Sequence, residues 1–146
     1  MSIMEARKKG VSLDRGYRPS DSEPFMNDRQ REYFRRKLKD WKEEIIRDSE
    51  LTLTAMQSDT DSHPDLVDRA SSEGDRAIEL RARDRQRKLI AKIDAALSRI
   101  EDGSYGYCEE TGEPISLARL DARPIATLSI EAQERHERRE KIYRDD

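Results

Sequence analysis

A single cysteine, Cys108, leaves nothing for an internal disulfide. Aromatic residues make up 5% and hydrophobic residues 34% of the 146 positions, against 42% charged, too little apolar material for a large globular core. Long apolar runs are missing as well. No stretch approaches the length of a membrane span, and the opening residues MSIMEARKKGVSLDRGY lack the apolar block of a secretion signal. A cytoplasmic protein is the expectation. Neither charge sign dominates, and a net charge of −3 offers no bulk argument for nucleic acid or a membrane surface. Internal repeats and low-complexity tracts are also lacking. Two architectures remain: disorder, or long helices that pair along a narrow apolar seam and leave their charges in water.

Proline is scarce where it matters. Pro64 stands alone between Pro24 and Pro114, inside the stretch Asp59 to Asp75, and it biases His63 away from helix. The chain is expected to reverse there. Asp59, Asp61, Asp65, Asp68, Glu73 and Asp75 are answered only by Arg69, a net charge of −5. The next segment, Arg76 to Lys92, sets Arg76, Arg81, Arg83, Arg85, Arg87, Lys88 and Lys92 against Glu79 and Asp84, a net charge of +5. If the flanks are helices of a hairpin, an acidic tip lies next to a basic collar.

The flanks read as such helices. Asn27 is placed as an N-cap, with Asp28 in the first turn and Gln30 completing a box-like pattern. Phe34, Leu38, Trp41 and Ile45 follow at spacings of 4, 3 and 4, and the same register continues through Asp48, Thr52, Ala55 and Asp59. Counting back from Ile100, the return seam passes Leu97, Ile93 and Ile90, then Gln86, Arg83 and Glu79. Both seams turn polar towards the reversal. Asp102-Gly103 supplies a stop, and Gly74, near the start of the second helix, loosens its first turn. Residues 1–26 read as an irregular arm, docked near Tyr17 and Phe25, and residues 27–102 as the hairpin, with its tip at about 60–71. Residues 103–146 form a turn-rich module closed by a helix that starts at the cap Ser129. The expected fold is mainly α: a long antiparallel coiled-coil hairpin on a small globular base.

Several short pieces, in this order and spacing, resemble the DksA/TraR family of bacterial RNA polymerase regulators. They are FMN at Phe25 to Asn27, FRR-L--W from Phe34 to Trp41 and PD-VDRA from Pro64 to Ala70. ELR-RDR-RKLI-KI from Glu79 to Ile93, YGYC at Tyr105 to Cys108 and RL-ARP-A-L from Arg119 to Leu128 follow. The likeness runs from Tyr17 to about Lys141 and favours the fuller members, with both coiled-coil helices and the arm. It implies a monomer that binds RNA polymerase through its secondary channel, without sequence-specific DNA binding, and acts with ppGpp in the stringent response. Ribosomal RNA promoters would be inhibited and amino-acid biosynthesis promoters activated. Asp65, Asp68 and Ala70 match the tip positions that approach the polymerase active site, where carboxylates suit a hard cation or the loops that hold it. Arg85 and Glu140 match polymerase-contact positions. Leu89, Lys92 and Arg123 match a ppGpp site completed by polymerase, where cations suit a bis-diphosphate. A further lysine of that site falls at Gln133, which removes one cation.

The resemblance also implies a zinc module of pattern C-x2-C-x17-C-x2-C, whose four places hold Cys108, Thr111, Ser129 and Ala132 here. One thiol, two hydroxyls and a methyl do not make a tetrahedral zinc site, and a Cys108/His136 pair would still lack two ligands. The expectation is a zinc-independent protein, with no cofactor of its own and insensitive to chelators or thiol oxidants. Structural zinc contributes about 10–16 kcal/mol in finger peptides. Tyr105, Tyr107, Ile115, Leu117, Leu120, Ile125, Leu128 and Ile130 are the candidates for a small core that takes its place.

Each of these features has a plainer reading. Paired acids complement a helix start, charge runs solvate a coiled coil, and Trp41 and Phe34 belong to the seam. Cys108 reads as a structural remnant, since no basic or helix-N-terminal surroundings are evident to activate it. No nucleophile–base–orienter set accompanies the acidic pair, so catalysis is not expected. The rival functions are a Gre-type transcript-cleavage factor, which also uses an acidic coiled-coil tip, and a structural coiled-coil adaptor.

Overall fold

A computed structural model describes residues 11–61 and 66–144, with side-chain detail at 11–51, 53–54 and 73–142. Four helices occur among the described residues: α1 Asp28–Asp61, α2 Leu66–Asp102, α3 Leu117–Ala122 and α4 Ile130–Arg144. The architecture is mainly α, and the sole pairing of extended backbone described is an isolated antiparallel bridge between Tyr107 and Pro114. Among the described residues no helix is long and apolar enough to cross a membrane. His63, Pro64 and Asp65 lie outside the described residues.

The starts and stops follow from local chemistry. Asn27 Oδ1 accepts from the Gln30 amide at 2.8 Å, capping α1. The reciprocal half of the expected box is displaced by one residue. Gln30 Oε1 accepts from the Met26 amide at 2.8 Å rather than from Asn27, and Gln30 Nε2 donates to the Ser20 carbonyl. Gln30 is fully buried, and these bonds satisfy its amide. Gly103, at φ 85°, ends α2, and the Ser104 amide reaches back to the Arg99 carbonyl at 3.0 Å. That is the left-handed glycine stop anticipated at Asp102-Gly103. Gly74 sits about two turns inside α2 rather than in its first turn, because the helix already begins at Leu66.

The chain divides into two compact units, Met1–Leu38 with Ala96–Asp146, and Lys39–Ala95. The first, called the compact unit below, buries Met26, Phe34, Leu38, Ile100, Tyr105, Ile115, Leu117 and Leu120. Aromatic edges link its segments. Tyr33 meets Tyr17 and Phe34 edge-on, Phe34 lies 5.6 Å from Tyr105, and Phe25 meets Tyr107 at 5.4 Å. The Arg29 guanidinium sits over the Tyr17 ring at 4.4 Å. Two expected core residues are misplaced: Tyr107 is 40% and Ile130 49% exposed. Pro124, Ala126, Cys108 and Ala132 fill the interior instead, because the module is built of tight turns that bring small residues inward.

The second, called the paired-helix unit, is an antiparallel pair. Lys42 faces Asp94 at 2.7 Å, and about two turns further along α1, Ser49 faces Gln86 at 2.6 Å. Ile45 and Ile93 are buried, and Trp41 and Ile90 are half-buried. Farther along α2 the order of hydrophobicity inverts: Ile78 and Leu80 are exposed, while Glu79 between them is half-buried. The register set by Ile93 and Ile90 is kept at the expense of two apolar side chains.

Candidate functional site

The expected site residues fall into three groups. Asp65 lies outside the described residues; Asp68 and Ala70 belong to the first turns of α2, and their side chains are not described. Arg85, Leu89 and Lys92 follow at spacings of 4 and 3 on α2 and so share one stripe. Arg85 and Lys92 are exposed and Leu89 is half-buried. Neighbouring Lys88 is engaged with Asp84 at 3.2 Å. In the compact unit, Arg123 is exposed directly after α3, and Gln133 is half-buried in α4, its amide donating to Glu137 at 3.2 Å. Glu140 is exposed on α4.

Arg123 stands on a firmly held loop. Ser116 caps α3 by accepting from the Arg119 amide, and the Arg123 amide closes the helix on the Arg119 carbonyl at 2.7 Å. The carbonyl of Pro124 accepts from the buried Tyr105 hydroxyl at 2.8 Å. Two residues before Arg123, Asp121 Oδ1 accepts from the Tyr33 hydroxyl at 2.6 Å and from Lys37 Nζ at 2.7 Å. The Lys37 bond, then the Tyr33 bond, holds the Asp121 carboxyl below the usual range against the opposing effect of burial. Tyr33 is pushed up to about 12, first by burial and then by its bond to Asp121. Sequence reasoning did not find this cluster. Its members are 84 and 88 residues apart, and nothing periodic connects them.

Two of the four places of the zinc pattern are committed to other bonds. Thr111 Oγ1 accepts from the Glu113 amide, and Ser129 Oγ accepts from the Ala132 amide as the cap of α4. Ala132 presents a fully buried methyl. With one sulfur and no second thiolate or imidazole, the donors do not fit a tetrahedral zinc ion. His136 is turned to Glu110, its Nε2 3.4 Å from the carboxylate, alongside Arg135 at 3.6 Å and Arg139 at 3.7 Å. These contacts link the Cys108–Thr111 turn to α4.

Cys108 departs from the sequence expectation. Burial pushes its thiol up, but a bond from the Thr111 hydroxyl and backbone N–H groups of Ser129, Thr111 and Glu110 outweigh it and bring the value down to about 6. No charged neighbour is needed. The lowering comes first from the Thr111 hydroxyl and then from main-chain N–H groups of two loops, among them that of Ser129, the cap residue of α4, and a linear reading cannot see that convergence.

Comparison with known proteins bears on most of the length. The profile described as the N-terminal domain of DnaK suppressor protein DksA matches residues 30–100, and that of the prokaryotic dksA/traR C4-type zinc finger matches residues 103–138. A protein of Caulobacter vibrioides (strain NA1000 / CB15N), named RNA polymerase-binding transcription factor DksA, is 72% identical over 130 residues, 89% of this chain and 92% of its own. The chain belongs to the DksA/TraR family. The Escherichia coli (strain K12) relative of the same name is 43% identical over 86% of this chain and 83% of its own. The structure of transcription factor DksA2 from Pseudomonas aeruginosa superimposes with a TM-score of 0.76 at 41% identity, over 82% of this chain and 95% of that one. These relatives are named as transcription factors, not as enzymes, in keeping with a family of non-catalytic regulators. The matched finger profile is of the C4 type, whereas this chain holds a single cysteine, Cys108, at its four places.

Proposed function

We propose that this protein binds RNA polymerase directly, enters the secondary channel with the α1–α2 reversal, and regulates initiation with ppGpp and without zinc. The observation that carries this is the 72% identity, over nearly all of both chains, to a protein named for binding RNA polymerase. In this reading the labour divides among the 1–26 arm, the 27–102 hairpin and the 103–146 module. Asp65, Asp68 and Ala70 approach the active-site surroundings, where carboxylates perturb the cation or its loops. Arg85 and Glu140 contact polymerase. Leu89, Lys92, Arg123 and Gln133 take part, with polymerase residues, in binding ppGpp. Arginine and lysine fit a bis-diphosphate through charge-assisted hydrogen bonds, while Gln133 offers a neutral amide and weakens that share. The effect is steric and electrostatic: open complexes at ribosomal RNA promoters are destabilised and amino-acid biosynthesis promoters are helped, as in a stringent response. The protein acts as a cytoplasmic monomer with no sequence-specific hold on DNA.

The donor geometry at Cys108, Thr111, Ser129 and Ala132 supports zinc independence. The test is transcription of a ribosomal promoter by purified polymerase with this protein, with and without ppGpp and a zinc chelator. Inhibition that deepens with ppGpp and ignores the chelator is expected. Loss of helicity on chelation would overturn zinc independence. Stimulated RNA hydrolysis in stalled complexes would replace the reading with a Gre-type cleavage factor. Asp68→Asn is expected to retain binding and lose regulation, and a structural adaptor would tolerate it.

A further inference from the structure

The short helix α3 has six residues, too few to persist by its own hydrogen bonds, so whatever follows it is placed by what grips it. Three grips are visible. The carboxylate of Asp121, in the last turn, holds Tyr33 and Lys37, which are one turn apart on α1. The Pro124 carbonyl is held by Tyr105 on the other side of Arg123. Arg123 itself closes α3 through its amide and accepts from the Ala126 amide at 3.0 Å. An exposed arginine therefore stands on a backbone fixed from both sides, with only its side-chain rotamers free. Ordering one residue's backbone costs about as much as a good hydrogen bond returns, so a ligand that meets Arg123 on a preset backbone avoids that cost.

The charges fit as well. A bare carboxylate two residues from Arg123 would repel an incoming anion. Lys37 neutralises Asp121 at 2.7 Å and stands 5.8 Å over the Tyr33 ring, so the guanidinium charge is left uncancelled. The compact unit thus uses a cation from α1 to quiet the anion on α3.

We propose that Asp121, gripped by Tyr33 and Lys37, is a positioning residue that presets Arg123 for the diphosphate of its ligand. This rests on the assignment of Arg123 to ppGpp made above. Asp121 does not touch the ligand. It acts through the placement of the Arg123 backbone, which its bonds to Tyr33 and Lys37 hold.

The test uses the full-length protein and polymerase on a ribosomal promoter, reading the ppGpp concentration for half-maximal effect, the inhibition without ppGpp, and the melting temperature. Asp121→Asn is expected to raise the half-maximal ppGpp concentration about tenfold, with ppGpp-free inhibition within about twofold of wild type. Asp121→Glu should recover part of the loss. In an Arg123→Ala background, Asp121→Asn should add nothing, because the residue it positions is gone. The inference is overturned if Asp121→Asn leaves the ppGpp dependence unchanged, if the two losses multiply, or if ppGpp-free inhibition falls in step with melting temperature. A wild-type protein that ignores ppGpp would sink the ppGpp assignment, and this inference with it. A responsive wild type beside an unchanged Asp121→Asn sinks the inference alone.

Discussion

The compact unit hides Phe34, Leu38, Tyr105, Ile115, Leu120 and even Gln30 almost completely, whereas Ile45 and Ile93 are the buried apolar side chains of the paired-helix unit among the described residues. The compact unit is cross-stitched over short and long sequence separations: Arg119 to the Leu128 carbonyl, Tyr105 to Pro124, and Lys37 and Tyr33 to Asp121. In the paired-helix unit most bonds are the helices' own, and polar pairs such as Ser49–Gln86 occupy the seam. A cross-stitched unit loses stability when one packing atom is removed. A pair of solvated helices responds instead to helix propensity. Leu120→Ala and Leu51→Ala put the same chemical change into the two settings. At 0% exposure Leu120 should cost about 2–5 kcal/mol in urea unfolding. Leu51, 69% exposed, should cost under about 0.5 kcal/mol. Equal losses would erase the contrast.

The next largest effect belongs to Gly106. Its φ of 91° is one that side chains rarely adopt, and an added Cβ would come within 3.1 Å of Met26 Cε and Phe25 Cζ. Met26 is buried, so its side chain must repack within the interior to make room. Gly106→Ala should therefore cost about 1–3 kcal/mol and loosen the turn that carries Phe25 onto the module, measurable by urea unfolding.

Cys108 sharpens the comparison through pH. The folded thiol titrates at about 6, below the ordinary thiol value of about 8.5. A depressed acid stabilises the fold in its ionised form. The contribution is complete above the unfolded value and is lost as pH falls through the folded one. The melting temperature of the wild type should thus rise from about pH 6 to pH 8.5, and Cys108→Ser should flatten that rise. A serine variant with the same pH profile would refute the assignment.

Much of this was legible in the chain itself. Asn27, Gly103 and Ser129 announce their helix ends by residue type, and the 4-3-4 spacing from Phe34 to Ile45 fixes the face that α1 buries. The mismatch with zinc follows from four letters. What stayed hidden depends on contacts between distant segments. Asp121 looks like any surface acid until Tyr33 and Lys37 are beside it, and Cys108 looks inert until the Thr111 hydroxyl and three backbone N–H groups converge on its sulfur. Ile78 and Leu80 mislead in the opposite sense. They look like core by hydropathy, but the register carried from Ile93 turns Glu79 inward.

The smallest expected effect has the opposite sign. Gly74 lies within α2, exposed, and a Cβ added there would meet no atom within 4 Å. Unlike Gly106 it has no positive φ for a side chain to violate. Its cost is entropic, since a glycine inside a helix surrenders more backbone freedom than an alanine would. Gly74→Ala should therefore stabilise by about 0.5–1 kcal/mol, read as higher helicity on heating and slower amide exchange between residues 73 and 80. If the variant also regulates transcription less well, then a weak turn in α2 is part of how the protein works. If it regulates as before, Gly74 is merely tolerated, and the paired-helix unit can be strengthened by propensity alone, a route the tightly packed turn at Gly106 does not offer.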